Sequence, residues 1–351
     1  MEVRKKALIL FVGSFQKRKA GFTYLNDELI DSLVVLNWNI IAVSTQIQRI
    51  PRLFDMLSTI ITKQRQYQIA KVDVFSGPAF VWAEVSAWLL YILGKPFVLT
   101  LHGGNLPEFA KTHPNRVRRV LSFASMVVTP SKYLCESFIS IRPDIQVIPN
   151  PIRIEHYPFL LRHRAEPKLI WLRAFHEIYN PSLAPRILAE LVAKYPNIHL
   201  IMVGPDKGDG SLQRMLSAAE NLGVKDRITI TGPVSRDQVP DWLEKGDIFI
   251  NTTNIDNTPV SVIEAMACGL CIVSTNVGGL PYLLEDGVDA LLVPPDDPKA
   301  MADAVSRILA EPKLAASLSE NARKKAEGFS WSKILPVWEE LFQSLISKTQ
   351  H

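Results

Sequence analysis

Two carboxylates at a fixed spacing define the segment best suited to hold a charged or hydroxylated ligand. Asp256 lies in the polar stretch NTTNIDNTP, and Glu264 follows eight positions later within VSVIEAMA. The pattern predicts a strand that ends at Asn251 and a helix that begins near Val260. The free N–H groups of the loop and of the helix N-terminus form a site for an anion such as a diphosphate. From these positions Glu264 can reach a ribose diol, and Asp256 can accept hydrogen bonds from sugar hydroxyls.

The residues after this helix are apolar and then glycine-rich. Cys268 and Cys271 form a C-x-x-C within EAMACGLCIVST, which reads as a buried strand, so we interpret both as packing residues rather than as a redox pair. With Cys135 they are the three cysteines of the chain, too few and too scattered for a disulfide framework or a zinc site. Gly278 and Gly279 allow tight backbone turns close to a ligand.

The elements that must position these residues alternate between strands and helices. Apolar runs such as KALILFV, KPFVLTL and KLIWL are separated by amphipathic segments, in two rounds divided by the Pro-, His- and Arg-rich segment 151–167. This pattern predicts two α/β domains, each with a mostly parallel sheet. Because ligands bind beyond the carboxyl ends of such strands, two facing domains would place the site in the cleft between them. Segment 151–167 is the expected linker and hinge.

Composition agrees with a globular protein of two domains. The chain has 351 residues, of which 47% are hydrophobic and 21% charged. The start MEVRKKALILFVGS imitates a signal peptide, but its apolar run is short and no cleavage site follows, so we predict a first strand. The apolar stretch 79–93 is shorter than the roughly 20 residues that span a bilayer.

Charge is unevenly distributed along the chain. Residues 1–150 carry 18 Lys and Arg against 10 Asp and Glu, whereas the remainder carries 21 against 25. The basic half, with apolar helices expected at 47–62 and 79–93, indicates a lipid-linked acceptor or contact with an anionic membrane surface. An ordinary solvated surface is the alternative. No nucleic-acid partner is expected.

Taken in order, the motifs resemble glycosyltransferase family 4, which comprises retaining enzymes of the GT-B fold. The resemblance rests on D-x7-E, EAMACG and VGG, and it extends along the chain through AGFTYLNDELIDSL, TLHGG, TPS, IPNP, GPDKGDG, ITGPV and FSW. It implies two facing Rossmann-like domains with an inter-domain cleft. Residues 1–160 would form the acceptor-side domain, 161–330 the nucleotide-sugar-binding domain, and 331–351 a helix that crosses back to the first domain.

The resemblance also implies roles for individual residues. Glu264 would hold the ribose and Asp256 the hydroxyls of the transferred sugar. Arg173 would pair with the donor diphosphate, and an arginine suits bidentate oxygen binding. Gly21 would let backbone amides approach the phosphate. His102 would stabilise or position the transition state. The donor-binding set also includes the loop and helix-start residues Asn257, Thr258, Pro259 and Val260.

The sequence departs from the family pattern at three places. The family more often has Glu where Asp256 stands, which leaves the sugar preference open. A lysine usually follows the position of Arg173, but here the segment reads AFHEIYNP. Either another cation compensates, such as His176 or a residue of the KRK run at 17–19, or diphosphate binding is weaker. The first of the two family glycines before the first helix is Ala20 here.

The expected function is therefore transfer of a hexosyl-type sugar, with retention, from a nucleotide sugar to a carbohydrate or lipid-linked acceptor. No metal and no cofactor beyond the nucleotide-sugar co-substrate are expected. The resemblance places such an enzyme in bacterial surface polysaccharide or glycolipid synthesis, in the cytoplasm or at the inner face of the membrane. The alternatives are a non-catalytic nucleotide-sugar-binding protein and a sugar-nucleotide epimerase. An NAD dehydrogenase is disfavoured because FVGSFQKRKAG lacks G-x-G-x-x-G.

Overall fold

The chain folds into two compact α/β units in a computed structural model that describes residues 6–15 and 25–349. The first unit comprises Met1–Pro151 and Ser332–His351, and the second comprises Ile152–Trp331. The division therefore lies nearer the start of segment 151–167 than the boundary expected at residue 160. A physical reason is that residues before 160 already bond to the second unit: the Ile152 N–H donates to the Phe329 carbonyl at 2.8 Å, and the Tyr157 hydroxyl donates to Glu264 at 2.7 Å.

The first unit is built on a six-stranded parallel sheet with the strand order β2-β1-β3-β4-β5-β6. Its strands are β1 (Leu8–Val12), β2 (Asn39–Val43), β3 (Ile69–Val74), β4 (Phe97–Leu101), β5 (Met126–Thr129) and β6 (Gln146–Val147). The order reverses between β1 and β3, because β2 lies on one side of β1 and all later strands lie on the other. Such a topological switch point leaves a crevice at the carboxyl ends of the two strands.

Seven helices of the described chain belong mainly to this unit. They are α1 (Leu25–Val35), α2 (Arg49–Thr62), α3 (Phe80–Ile92), α4 (Leu106–Thr112), α5 (Pro114–Phe123), α6 (Lys132–Phe138) and α14 (Trp331–Thr349). The last helix is held by aromatic packing. Phe342 makes edge-to-face contacts with Phe11 and Trp38, at centroid distances of 6.3 and 6.1 Å. Glu339 accepts a hydrogen bond from the Trp38 indole at 2.8 Å.

The second unit repeats the architecture, with the strand order β12-β11-β10-β7-β8-β9 in another parallel sheet. Its strands are β7 (Lys168–Leu172), β8 (His199–Val203), β9 (Ile228–Gly232), β10 (Ile248–Asn251), β11 (Cys271–Thr275) and β12 (Leu291–Val293). Its helices are α7 (Leu183–Leu191), α8 (Ser211–Asn221), α9 (Val239–Leu243), α10 (Val260–Ala267), α11 (Leu280–Leu283), α12 (Pro298–Ala310) and α13 (Pro312–Ala326). Here the order reverses between β7 and β10. The prediction of two Rossmann-like domains is confirmed.

Local expectations about the apolar segments can be checked directly. The stretch 79–93 forms α3, and no helix in the described part of the chain is long and apolar enough to cross a membrane. Cys268 caps the end of α10 and Cys271 begins β11. Both side chains are fully buried free thiols, so the C-x-x-C is part of the core.

Candidate functional site

The second unit places two predicted site segments at its topological switch point. Arg173 directly follows β7, and the polar loop 252–259 directly follows the neighbouring strand β10. The backbone at Arg173 is fixed, because its N–H donates to the Val203 carbonyl at 3.0 Å. Gly204 has a φ of +146° and lies so close that a Cβ would strike the Arg173 carbonyl. The sheet thus sets the position from which the arginine side chain extends.

The Arg173 side chain is largely buried and forms an ion pair with Oδ2 of Asp256. Its guanidinium also lies over the ring of Tyr179, 4.5 Å from the centroid. Burial lowers the pKa of Arg173 from its ordinary value, but an arginine stays charged in proteins. Within the described chain, its buried Nε makes no hydrogen bond. Arg173 and Asp256, which were predicted to contact different parts of the donor, therefore pair with one another. The Nε–H of Arg173 has no acceptor among the described residues.

The loop that carries Asp256 is held by a tight backbone contact. Oδ1 of Asp256 accepts a hydrogen bond from the N–H of Asn257 at 2.9 Å, and the Asp256 carbonyl accepts from Gly279 at 3.1 Å. A Cβ on Gly278 or Gly279 would strike the carbonyls of Asp256 and Asn257. The two glycines were predicted to allow turns near a ligand. In the structure they let one backbone segment lie directly against the acidic loop.

The N-terminus of α10 provides groups for an anion. Pro259 is the N-cap residue and makes no side-chain cap, and the loop residues Asn257 and Thr258 before it are buried. In the first turn, the buried Ser261 Oγ has no hydrogen-bond partner within the described residues. Helix amides and an unpaired hydroxyl suit a diphosphate, and the loop before this helix carries Asp256, the ion-pair partner of Arg173. Ser261 was not in the predicted set, although its position two residues into the predicted helix could have indicated it.

Glu264 lies one turn further along α10 and is almost completely buried. Its Oε1 accepts a hydrogen bond from the Tyr157 hydroxyl at 2.7 Å, and the Arg236 guanidinium lies 3.9 Å away. Burial, followed by the Glu264 charge, raises the pKa of Tyr157, so the phenol remains neutral and donates. Neither contact was predicted, because Tyr157 is 107 positions from Glu264 and no spacing rule connects them.

The proposed substitutes for the missing lysine are only partly described. His176 precedes a short 3-10 turn, where its Nδ1 accepts from the N–H of Ile178 at 3.2 Å and its Nε2 lies 3.9 Å from Asp209. Both ring nitrogens thus face local partners. The other candidates, Lys17, Arg18 and Lys19, lie outside the described residues.

Two predicted site residues remain, Gly21 and His102. Gly21 lies outside the described residues. His102 directly follows β4, where its Nε2 lies 3.1 Å from Oδ1 of Asp73 and its ring stacks on Phe75 at 5.0 Å. Among the described residues, no group of three His, Cys, Asp or Glu side chains could hold a metal ion.

Two family models match the chain. The model for "Glycosyltransferase Family 4" matches residues 26–156, and the model for "Glycosyl transferases group 1" matches residues 158–325. Together they extend over most of the chain and over every strand of the two sheets except β1. The fold and these matches define a chain of the GT-B fold class. The chain belongs to glycosyltransferase family 4.

Individual proteins of known structure support the fold assignment. Sucrose-phosphate synthase from Thermosynechococcus elongatus superposes with a TM-score of 0.79 at 18% identity, covering 98% of this chain and all of that one. Anabaena HepE, solved with UDP, superposes with a TM-score of 0.75 at 17% identity, covering 97% of this chain and all of that one. At these identities the likeness defines the fold alone.

Curated relatives are more similar in sequence but align over less of their length. The D-inositol 3-phosphate glycosyltransferase of Mycolicibacterium smegmatis is 34% identical over 162 residues, which cover 45% of this chain and 37% of that protein. The alignment therefore spans well under half of the relative's own length. The enzyme of the same name from Thermobispora bispora is 22% identical over 326 residues, covering 85% of this chain and 76% of that protein.

Proposed function

We propose that this protein transfers a hexosyl group, with retention of configuration, from a nucleotide-sugar donor to a carbohydrate or lipid-linked acceptor. The observation that carries the proposal is the convergence at one switch point of three features. Within the described residues, they are a largely buried arginine with an unused donor, a helix N-terminus with an unpaired buried hydroxyl, and a buried carboxylate that accepts from a phenol. These features match, respectively, a diphosphate, its oxygens, and a ribose diol.

The mechanism follows from where negative charge develops. When the glycosyl bond to the diphosphate breaks, the sugar gains oxocarbenium character and the leaving oxygens gain charge. The acceptor hydroxyl oxygen bonds to the anomeric carbon on the same face, and its proton passes to a leaving oxygen. Arg173 and the amides of the first turn of α10 stabilise these oxygens without a reorganisation of water. For this to happen the diphosphate must replace Asp256 at the guanidinium. The released carboxylate then accepts hydrogen bonds from hydroxyls of the transferred sugar. Both steps need no metal ion.

The test is a thermal-shift screen of the full chain with UDP, GDP, ADP and their sugar conjugates. UDP is the first choice, because HepE structures contain UDP and UDP-glucose. A ligand at 100 times its Kd adds about 2.7 kcal/mol, or roughly 5–10 °C for a unit of this size. We expect Glu264→Ala to lose the shift and Glu190→Ala, at an exposed position of α7, to retain it. Equal shifts in all three proteins would refute the assignment of the ribose site.

A membrane-proximal acceptor is the second part of the proposal. The first 150 residues carry the excess of basic side chains. On α2, Ile50 and Phe54 are about 70% exposed, and on the adjoining α3, Trp88 and Tyr91 are more than half exposed. Exposed apolar side chains on a basic unit suit an anionic bilayer surface. Acceptors in surface polysaccharide or glycolipid synthesis would be met there.

Flotation with vesicles of anionic and of neutral lipid tests this part. We expect the protein to float with anionic vesicles at low salt and to bind neutral vesicles less. Phe54→Ser together with Trp88→Ser should reduce flotation, whereas Val35→Ser, at an 80% exposed position of α1, should not. Absence of flotation at every salt concentration would refute the membrane contact and leave a soluble carbohydrate as the acceptor.

The second candidate is a protein that binds a nucleotide sugar without transferring it. The lack of a lysine after Arg173 and the pairing of that arginine with Asp256 favour it. It predicts a thermal shift with the donor but no release of nucleoside diphosphate in the presence of any acceptor. Release of nucleoside diphosphate that requires acceptor would exclude it.

A further inference from the structure

A second cluster of polar side chains lies at the switch point of the first unit. Asp73, near the end of β3, accepts hydrogen bonds from the Lys71 ammonium and from the Asn26 amide, both at 2.5 Å. The Asn26 carbonyl oxygen in turn accepts from Lys71 at 3.0 Å. His102, after β4, lies 3.1 Å from the Asp73 oxygen that also faces Lys71. Two neighbouring strands and α1 thus bring four polar side chains together.

The ion pair at the centre of this cluster is buried. The side chains of Lys71 and Asp73 are 2% and 4% exposed. The Lys71 ammonium also lies 5.5 and 5.8 Å from the ring centroids of Phe11 and Trp338. A Cβ on Gly13, which follows β1, would strike the Asp73 carboxylate. The fold therefore buries a charged pair at a position where two apolar side chains would need no hydrogen-bond partners.

Within the described residues, the space beside Asp73 is too small for a substrate-sized group. The cavity beside it measures about 30 Å³ and is lined in addition by Gly13 and Phe75. That volume holds roughly one or two waters, far less than a sugar. His102 has a side chain that is 22% exposed, more than the side chains of Lys71 and Asp73. Among the described residues, His102 is therefore the group through which Asp73 can act on a reaction.

The state of the His102 ring follows from its neighbours. Burial alone would raise the pKa of Asp73, but the Lys71 ammonium and the His102 hydrogen bond hold that pKa well below its ordinary value. An ionised carboxylate only accepts hydrogen bonds, so Nε2 of His102 carries the proton and donates it. Stacking on Phe75 fixes the ring plane. In the neutral form of the ring with this tautomer, Nδ1 carries the lone pair and can accept a hydrogen bond.

We propose that Asp73 is the positioning residue for His102. Lys71 and Asn26 hold the Asp73 carboxylate, which accepts a hydrogen bond from Nε2–H of His102. This orientation presents Nδ1 as a hydrogen-bond acceptor for a substrate hydroxyl. The proposal rests on the proposed glycosyl transfer, since it names the partner of the histidine in that reaction. Asp73 touches neither sugar nor nucleotide. Its contribution is the orientation and the protonation pattern of the imidazole.

The first test is a double-mutant cycle in the full chain with Asp73→Asn, His102→Gln and the double variant. We expect each single variant to lower kcat roughly 10- to 100-fold, the range for removing a hydrogen-bonded partner of a functional histidine. KM for the donor should change less than twofold. In the His102→Gln background, Asp73→Asn should cause no further loss. Multiplicative losses, or a change carried only by KM, would overturn the proposal.

The second test does not depend on activity. A hydrogen-bonded imidazole proton on a buried carboxylate exchanges slowly with water, so the wild type should show a downfield ¹H resonance coupled to ¹⁵N in labelled protein. The resonance should be absent in His102→Gln, which assigns it, and lost to exchange in Asp73→Asn. A wild type without it contradicts the proposed pairing even if Asp73→Asn does not fold. If the resonance is present but no donor supports transfer, the proposed function fails while the His102–Asp73 pairing stands.

Discussion

Replacing Lys71 with methionine isolates the energy of the buried ion pair in the first unit. Methionine keeps a long apolar stem, so the substitution removes the charge and its hydrogen bonds with little change in volume. Among the described residues, the ionised Asp73 carboxylate then keeps only Asn26 and His102 as side-chain partners. The expected result is a large loss of stability, because an uncompensated buried charge has lost its solvent and its counter-ion.

The size of the loss can be estimated from the burial of both groups. Removing one member of a buried pair costs about 3–5 kcal/mol. For a unit of roughly 150–250 residues, each kcal/mol shifts Tm by about 2–4 °C, so Tm should fall by about 6–20 °C. Lys63→Met, at an exposed position that ends α2, should change stability by less than about 0.5 kcal/mol. The double variant Lys71→Met with Asp73→Asn should recover part of the loss, because no charge is then left buried.

The pH dependence has a defined sign. The pKa of Asp73 is depressed in the folded protein, so its ion pair stabilises the fold above the ordinary value of 3.8 and this contribution is lost as pH falls below it. Lys71→Met removes the largest contribution that lowers this pKa, so the carboxylate is protonated at a higher pH than in wild type. The difference in stability from wild type should therefore be largest near pH 7 and should shrink toward pH 4. Calorimetric unfolding between pH 4 and 8 measures this. If Lys71→Met and Lys63→Met were equally stable at pH 7, the argument from burial would be refuted.

Two further predictions concern the second unit. Gly279→Ala should cost about 1–3 kcal/mol and weaken the nucleotide-dependent thermal shift, because the new Cβ strikes a backbone carbonyl of the acidic loop, whereas Gly328→Ala, with open space around it, should do neither. Burial raises the pKa of the Cys268 and Cys271 thiols to about 12, so a thiol reagent should modify only the partly exposed Cys135 before unfolding. Modification of all three thiols at the same rate in native protein would contradict the buried C-x-x-C.

The architecture could be predicted because parallel strands buried on both faces leave a strong pattern. KLIWL and KPFVLTL have such runs, and the polar residues that follow them, Arg173 and His102, lie at strand ends as expected. The least accurate strand prediction is DIQVIPN, because only Gln146–Val147 of this segment forms a strand, paired with β5. It is an edge strand with a single neighbour, and Pro151 follows closely, so little of the segment has a partner.

The contacts between side chains of the site could not be predicted from the sequence as well as the fold. Arg173 and Asp256 were assigned to different parts of the donor, yet they are 83 positions apart and form an ion pair. The strand KVDVF reads as ordinary alternation, and nothing local indicates that Lys71 and Asp73 are both covered. Periodicity identifies the face to which a side chain belongs. Whether a helix such as α1 covers that face with an asparagine depends on tertiary packing.

The donor site is tested most directly by calorimetric titration of the full chain with a nucleoside and with its diphosphate. The base is the one selected by the thermal-shift screen, and the proteins are the wild type, Arg173→Met and, as a matched control, Arg186→Met at an exposed ion pair. The wild type and Arg186→Met should bind the diphosphate at least tenfold more tightly than the nucleoside. Arg173→Met should bind the two with similar affinity, because the cation that recognises the diphosphate is gone. Retention of the full diphosphate preference in Arg173→Met would contradict the proposed donor site.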